Sequence, residues 1–113
     1  MRKVACVVEV KPECVEEYKR LHSEVWPEVI DIIKRANIEN YSIFLSKLND
    51  SGYFLFSYFE YTGENYESDM AGIAAEPITK KWWSLCKPCL KPLNGISMEQ
   101  CWYPMEQVFD LEK

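Results

Sequence analysis

A turn sequence between two strand-like segments restricts the fold more than any other feature of this chain. Residues 49–52 read Asn-Asp-Ser-Gly, and asparagine and glycine both tolerate positive φ, so this segment predicts a tight turn. Residues 41–47 precede the turn, and the long aromatic segment 53–61 follows it. The two segments are therefore expected to pair as an antiparallel β-hairpin.

Strand and helix patterns also lie on both sides of this hairpin. Residues 4–10 are nearly all apolar and β-branched, which indicates a buried strand. A helix is expected to begin at Pro12 and to kink or restart at Pro27, because proline suits a first helical turn and interrupts a helix interior. The later predicted elements are a helical stretch over 28–36, a helix over 65–75, a helix from Pro77 through Leu85, and a strand over 105–111. Residues 96–103 favour no single element.

The resulting order is β, α, β, β, α, β, which is the ferredoxin-like arrangement of an α+β protein. Residues 1–113 are expected to form this single domain. In such a domain both helical regions cover one face of a four-stranded antiparallel sheet and leave the other face bare. The aromatic residues of 53–61 on that face would form an apolar patch typical of an interface. We expect a homodimer in which two sheets pack face to face.

Charge and hydropathy exclude several classes of function. The formal net charge of −5 argues against a nucleic-acid-binding protein, because such a protein needs a basic face to neutralise phosphates. The apolar run near the N-terminus, residues 4–8, is far too short for a signal peptide or a membrane span. No membrane association is expected, and a cytoplasmic location is the default.

The five cysteines have no regular spacing and are expected to be reduced. Cys86-Lys-Pro-Cys89 matches the C-x-x-C pattern. A redox motif places its first cysteine at a helix N-terminus, whereas this pair follows a helical pattern, where the dipole has the opposite sign. A zinc site would need further ligands close by, and the remaining cysteines and His22 are scattered singly. The pair is therefore interpreted as packing thiols, and no metal is expected.

His22 is the only histidine and lies one helical turn after Tyr18. Residues four apart on a helix share a face, so a phenol and an imidazole would lie side by side. Imidazole exchanges protons near neutral pH, and the flat indoles of Trp82 and Trp83 suit the apolar face of a small ring. Taken singly, each of these residues is more often a packing residue than a catalytic one. Adjacent helical positions are also about 100° apart, so Trp82 and Trp83 cannot both face inward fully.

Taken together, these residues resemble a known pattern. The elements that carry the resemblance are Arg2-Lys3, Glu16-Glu17-Tyr18-Lys19-Arg20 with His22, Trp26-Pro27-Glu28, Asn40-Tyr41-Ser42-Ile43, Lys81-Trp82-Trp83 and Glu106-Gln107-Val108-Phe109. Their order and spacing resemble those of the L-rhamnose mutarotase family. The resemblance implies a dimeric α/β barrel of ferredoxin-like subunits that interconverts the α and β anomers of a 6-deoxy sugar. It also implies that His22 is the proton donor and that Tyr18, Tyr41, Trp82 and Trp83 bind the sugar.

Two departures from the pattern leave the identity of the sugar undecided. The segment 65–72 lengthens the helix ahead of Pro77, and the aromatic-rich segment 101–104 precedes the last predicted strand. L-Rhamnose is the expected substrate, with L-fucose or another 6-deoxyhexose as the alternative. Anomer exchange by acid and base groups needs no cofactor. The alternatives from other classes are a haem or small-molecule oxygenase on the same barrel, with His22 as axial ligand, and a non-catalytic ligand-binding module.

Overall fold

The computed structural model describes residues 1–112, and its elements follow the predicted order with each helical region divided in two. Lys113, the last residue of the predicted domain, lies outside the described residues. The elements are β1 (Arg2–Val10), α1 (Val15–Ser23), α2 (Pro27–Arg35), β2 (Ile38–Lys47), β3 (Tyr53–Tyr61), α3 (Tyr66–Ala75), α4 (Pro77–Cys86), β4 (Leu90–Lys91) and β5 (Tyr103–Pro104). Over residues 1–112, the helices lack the length and apolar character that crossing a membrane requires.

The division of each helical region follows from its proline. Pro27 is the first residue of α2, and Trp26 before it is extended, with φ −58° and ψ 133°. The residue before a proline is pushed out of the α region, so α1 and α2 cannot be continuous. Glu76 takes the same conformation before Pro77, which separates α3 from α4. The predicted restart at Pro27 is confirmed.

The predicted hairpin is also confirmed. The Leu48 N–H donates to the Gly52 carbonyl at 2.9 Å, and Asn49 and Gly52 both have positive φ, at 50° and 119°. β2 begins at Ile38, earlier than predicted. A bulge between Glu39 and Ser42 inserts one extra residue into β2, and such a bulge re-aims the side chains beside it.

The sheet is antiparallel, with the strand order β2-β3-β1-β4. β4 pairs with Val10 and Glu9 of β1, and β5 pairs with Val7 and Cys6 further along the same edge. The two short strands are therefore halves of one fourth strand. Residues 92–102 leave the sheet between them, which explains why residues 96–102 carry no strand pattern, and Tyr103 begins β5.

The prediction of a strand over 105–111 was wrong. The Met105 N–H still donates to the Ala5 carbonyl at 2.8 Å, but no strand is formed beyond Pro104 among the described residues. The tail is held instead by an ion pair between Lys3 Nζ and the Asp110 carboxylate at 3.0 Å. The apolar side chains of Val108 and Phe109 are 88% and 73% exposed, so they lack the packing that makes β-branched and aromatic residues favour strands.

The helices cover one face of the sheet, and the aromatic side chains of β3 are divided between its two faces. Leu55, Ser57, Phe59 and Tyr61 are buried, whereas the residues that alternate with them are partly exposed. The expectation that the aromatics as a group lie on the open face is therefore only half right. On the open face, Phe44, Phe56 and Val7 form a row across three strands. Phe44 is 64% exposed, so this face presents apolar surface to solvent.

Candidate active site

The structure brings three of the predicted site residues together between α1 and α4. The rings of Tyr18 and His22 stack with their centroids 4.1 Å apart and their planes 18° from parallel. The Trp82 indole meets His22 edge-on, with 5.4 Å between centroids. The contact between Tyr18 and His22 follows from their spacing of four on α1. The contact with Trp82 is tertiary and depends on how α4 packs.

A backbone carbonyl orients the His22 imidazole. His22 Nδ1 lies 3.0 Å from the carbonyl oxygen of Tyr18. A carbonyl oxygen only accepts hydrogen bonds, so Nδ1 must carry the proton. In the neutral ring Nε2 is then unprotonated and free to accept a proton.

Burial keeps this imidazole neutral. It lowers the pKa of His22 below its ordinary value of 6.5, and the hydrogen bond to the Tyr18 carbonyl opposes the shift only in part. Burial acts in this direction because the charged form loses more hydration than the neutral form. Near pH 7 the ring is therefore mainly neutral. Once protonated, it is a stronger acid than an exposed imidazolium.

Tyr18 is a hydrogen-bond donor rather than a base. Its side chain is buried, and burial, followed by the nearby Tyr41 phenol, raises the pKa of its hydroxyl far above the ordinary value. The hydroxyl therefore stays protonated at any physiological pH. A phenol in this state orients an oxygen by donating to it.

Tyr41 lies on β2 within the bulge, and its ring packs against Phe59 with 5.3 Å between centroids. Phe59 belongs to the buried, helix-covered side of the sheet, so the bulge turns Tyr41 toward that side. Tyr41 remains 42% exposed because β2 is the edge strand, yet burial around its hydroxyl raises the pKa to about 12. The Tyr41 phenol also contributes to the raised pKa of Tyr18.

Trp83 has different neighbours from Trp82, although it also packs against the core cluster that contains Tyr18 and Trp82. Its ring lies 4.7 Å from the Lys87 ammonium. It lines an open depression of about 430 Å³ together with Lys80, Ser84, Lys87, Pro88 and Met98. Trp82 is almost fully buried, whereas Trp83 is partly exposed. This difference reflects the angle of about 100° between successive helical residues.

Trp26 is part of the cluster although sequence reasoning did not assign it to the site. Its ring meets Trp82 edge-on, with 5.1 Å between centroids. Trp26 therefore supports Trp82, which in turn contacts His22. The signal available in the sequence was its position on the apolar stripe that also carries Tyr18 and His22.

The side chains described around His22 do not include a set of residues that could bind a metal ion. Within residues 1–112 the histidine, cysteine, aspartate and glutamate side chains form no group of three placed to hold a metal. The side chains around His22 are aromatic, and proton transfer through the imidazole is the chemistry they permit.

Comparison with known proteins identifies the family. The family model described as L-rhamnose mutarotase matches residues 3–111. The chain belongs to the L-rhamnose mutarotase family. It is 36% identical to the L-rhamnose mutarotase of Mannheimia succiniciproducens over 109 residues, which cover 94% of each chain. It is 39% identical to that of Tolumonas auensis over 102 residues, which cover 88% of this chain and 92% of the relative.

Solved structures agree on the fold. An L-rhamnose mutarotase from Formosa agariphila superposes with a TM-score of 0.75 at 22% identity, covering 98% of this chain and 99% of the other. The tetracenomycin F2 cyclase of Streptomyces glaucescens superposes with a TM-score of 0.66 at 8% identity, covering 97% and 98%. A polyketide cyclase thus shares this architecture with the mutarotase family. Fold alone does not decide the chemistry, and family membership rests on the sequence match.

Proposed function

We propose that this protein is a mutarotase that interconverts the α and β anomers of L-rhamnose, with His22 as the residue that moves the proton. The observation that carries the proposal is the neutral imidazole of His22, which is held by the Tyr18 carbonyl, stacked on the Tyr18 ring and flanked by Trp82. Membership of the L-rhamnose mutarotase family supports the reaction class.

One imidazole is sufficient because the anomeric hydroxyl and the ring oxygen are bonded to the same carbon. Nε2 of neutral His22 takes the proton of the anomeric hydroxyl. The resulting imidazolium gives it to the ring oxygen while the bond between that oxygen and the anomeric carbon breaks. The open-chain aldehyde rotates, and the same steps in reverse close the ring to the other anomer. A positioned acid and base of this kind contributes roughly 10² to 10⁴ in rate.

The other residues position the sugar. The Tyr18 hydroxyl, which stays protonated, donates to an oxygen at the anomeric centre, and Tyr41 binds the sugar from the β2 edge. Trp82 covers the apolar face of the ring and excludes water, with Trp26 behind it. Trp83, whose ring lies beside the Lys87 ammonium, is the alternative indole for covering the apolar face of the sugar.

Saturation-transfer NMR on a panel of 6-deoxyhexoses tests the activity and the substrate together. We expect the protein to accelerate anomer exchange of L-rhamnose more than that of L-fucose. Faster exchange of L-fucose would change the assigned sugar but keep the reaction. Sugar binding without any acceleration would refute the enzyme and favour a ligand-binding module. A haem-dependent oxygenase would be recognised by haem bound in fixed stoichiometry.

A homodimer formed through the open sheet face is part of this proposal. The row of Phe44, Phe56 and Val7 crosses that face, and Phe44 is largely exposed. Contiguous apolar surface of this kind is typical of interfaces. A two-fold dimer would bury the same row on both subunits. We also propose a cytoplasmic location, in keeping with five free cysteines.

A further inference from the structure

Two aromatic rings hold the guanidinium of Arg2 in place. The Arg2 Cζ atom lies 3.9 Å from the centre of the Tyr66 ring, a cation–π contact. The Tyr66 ring meets Tyr61 edge-on, with 5.2 Å between centroids. The Tyr61 hydroxyl donates to the Asp69 carboxylate and accepts from the Asn65 N–H at 3.0 Å. Because both rings are fixed by these contacts, the guanidinium that rests on them is positioned before any ligand binds.

The N–H donors of this guanidinium are not taken up by a carboxylate of residues 1–112. The ion pairs in this part of the chain involve other cations, namely Lys3, Lys19, Arg20 and Lys91. Stacking on an aromatic ring occupies the face of a guanidinium and leaves the N–H groups, which point outward in its plane, able to donate. Arg2 therefore presents several directed donors to a ligand.

The helices do not cover the end of the sheet where Arg2 lies. Alternate residues of β1, from Arg2 to Val10, pair with β3 residues that face the helices. Along this row Val8 and Val10 are fully buried, Cys6 and Val4 are partly exposed, and Arg2 is exposed. The space between sheet and helices thus opens as a cleft toward the start of β1. Arg2 lies at the mouth of this cleft.

The same end of the sheet carries Tyr41, one of the residues proposed to bind the sugar. The Tyr41 ring packs against Phe59, and the Tyr66 ring packs against Tyr61. Phe59 and Tyr61 are two positions apart on β3 and face the helices together, so their Cα atoms are about 7 Å apart. Arg2 is the β1 partner of Tyr61. The guanidinium and the Tyr41 phenol therefore border one cleft.

We propose that Arg2 is a further sugar-binding residue, which donates to hydroxyls at the end of the sugar opposite the anomeric carbon. The inference rests on the proposed function, in which His22 and Tyr18 take the anomeric centre. The hydroxyls on the third and fourth carbons then point toward the mouth of the cleft. Two neighbouring hydroxyl oxygens are acceptors that a guanidinium can contact with two parallel N–H groups.

Tyr66 makes this contact specific to the geometry of the chain. It is the first residue of α3 and belongs to the segment 65–72, which departs from the family pattern. Because Tyr66 sets the position of the guanidinium, this segment contributes to the choice among 6-deoxyhexoses, whose hydroxyls differ in orientation at these carbons.

The test compares L-rhamnose binding by the original chain, Arg2→Met and Arg2→Lys. Arg2→Met keeps an apolar stem and removes the donors, whereas Arg2→Lys keeps the charge and loses the planar pair of N–H groups. Calorimetric titration should find Kd raised about tenfold in Arg2→Met, as expected for loss of hydrogen bonds from a charged group, and raised less in Arg2→Lys. Exchange NMR should find KM raised in parallel with kcat nearly unchanged, because Arg2 contacts the sugar equally before and during ring opening.

Lys47→Met is the matched control. The Lys47 ammonium lies 5.7 Å from the Tyr53 ring, so this variant removes a cation from an aromatic ring at the opposite end of β3. Its Kd and KM should equal those of the original chain. A rhamnose analogue that lacks the hydroxyl on the fourth carbon supplies a second comparison, since its affinity should differ less between the original chain and Arg2→Met.

The outcomes separate this inference from the proposed function. A Kd and KM in Arg2→Met within twofold of the original values would overturn the role of Arg2, and so would equal weakening in Lys47→Met. Rhamnose binding that depends on Arg2 in a protein that does not accelerate anomer exchange would refute the mutarotase and keep the binding residue. Absence of rhamnose binding by the original chain would overturn both.

Discussion

The imidazole of His22 and the backbone carbonyl of Tyr18 are joined by a hydrogen bond of 3.0 Å, while the rings of the same two residues stack at 4.1 Å. One turn of helix therefore fixes both the tautomer of the imidazole and the orientation of its ring. Because Nδ1 is occupied, the proton that moves during catalysis must be exchanged at Nε2.

Removing only the Tyr18 hydroxyl should slow anomer exchange in part. In Tyr18→Phe the stack on His22 is kept and one donor to the sugar is lost. A hydrogen bond contributes about 0.5 to 1.5 kcal/mol, so we expect a decrease of up to about tenfold in kcat/KM. Exchange NMR and a sugar titration measure the rate and affinity. If both were unaltered, Tyr18 would have no direct role in the site.

Alanine substitutions of Trp82 and of Trp83 should lower the free energy of unfolding by different amounts, although the two residues are adjacent. Trp82→Ala removes an almost fully buried indole that contacts His22 and Trp26, and it should lower the free energy of unfolding by about 3 to 5 kcal/mol. Trp83→Ala is the matched control and should cost clearly less, because Trp83 is partly exposed. Urea unfolding followed by circular dichroism compares them. Equal losses would contradict the difference in burial between the two indoles.

The pH dependence of exchange should follow the neutral form of His22. Because burial lowers the pKa of His22 below 6.5, the neutral base predominates near pH 7 and is lost as the pH falls through the lowered pKa. We expect kcat/KM to fall toward acid pH with a midpoint below 6.5. A midpoint above 6.5 would mean that the imidazole is stabilised in its charged form, which the burial of this ring does not allow.

A charge on the open sheet face should separate the subunits. Phe44→Asp places a carboxylate in the proposed interface, where it would be buried without a partner. The matched control is Ile30→Asp, which changes a residue of similar character on the helix side of the protein, 38% exposed. Light scattering should report a dimer for the original chain and for Ile30→Asp, and a monomer for Phe44→Asp. A monomer for the original chain would refute the dimer.

Local chemistry made most of the fold predictable from the sequence, and tertiary packing limited the rest. The turn at residues 49–52 and the restart at Pro27 depend on backbone preferences that single residues carry. The strand expected over 105–111 failed because several of its apolar residues, Val108 and Phe109 among them, stay largely exposed. Whether such an edge segment forms a strand depends on what covers it, which residue patterns do not record.

In the candidate site, too, local contacts were predictable from the sequence and tertiary contacts were not. The spacing of Tyr18 and His22 was sufficient to predict their contact, since i and i+4 positions share a helix face. The position of α4 beside α1 was not predictable from spacing, and this packing selects Trp82 over Trp83 and brings in Trp26. The hydrogen bond that determines the His22 tautomer involves a backbone atom, so no residue pattern signals it.

The most direct test of the account is anomer exchange of L-rhamnose in His22→Asn. The asparagine amide can still donate to the Tyr18 carbonyl, so packing should be preserved while the titrating group is lost. We predict that saturation-transfer NMR will find exchange slowed by about 10² to 10⁴, with sugar affinity little changed. Exchange at the original rate in a folded His22→Asn protein would contradict the central claim that this imidazole moves the proton.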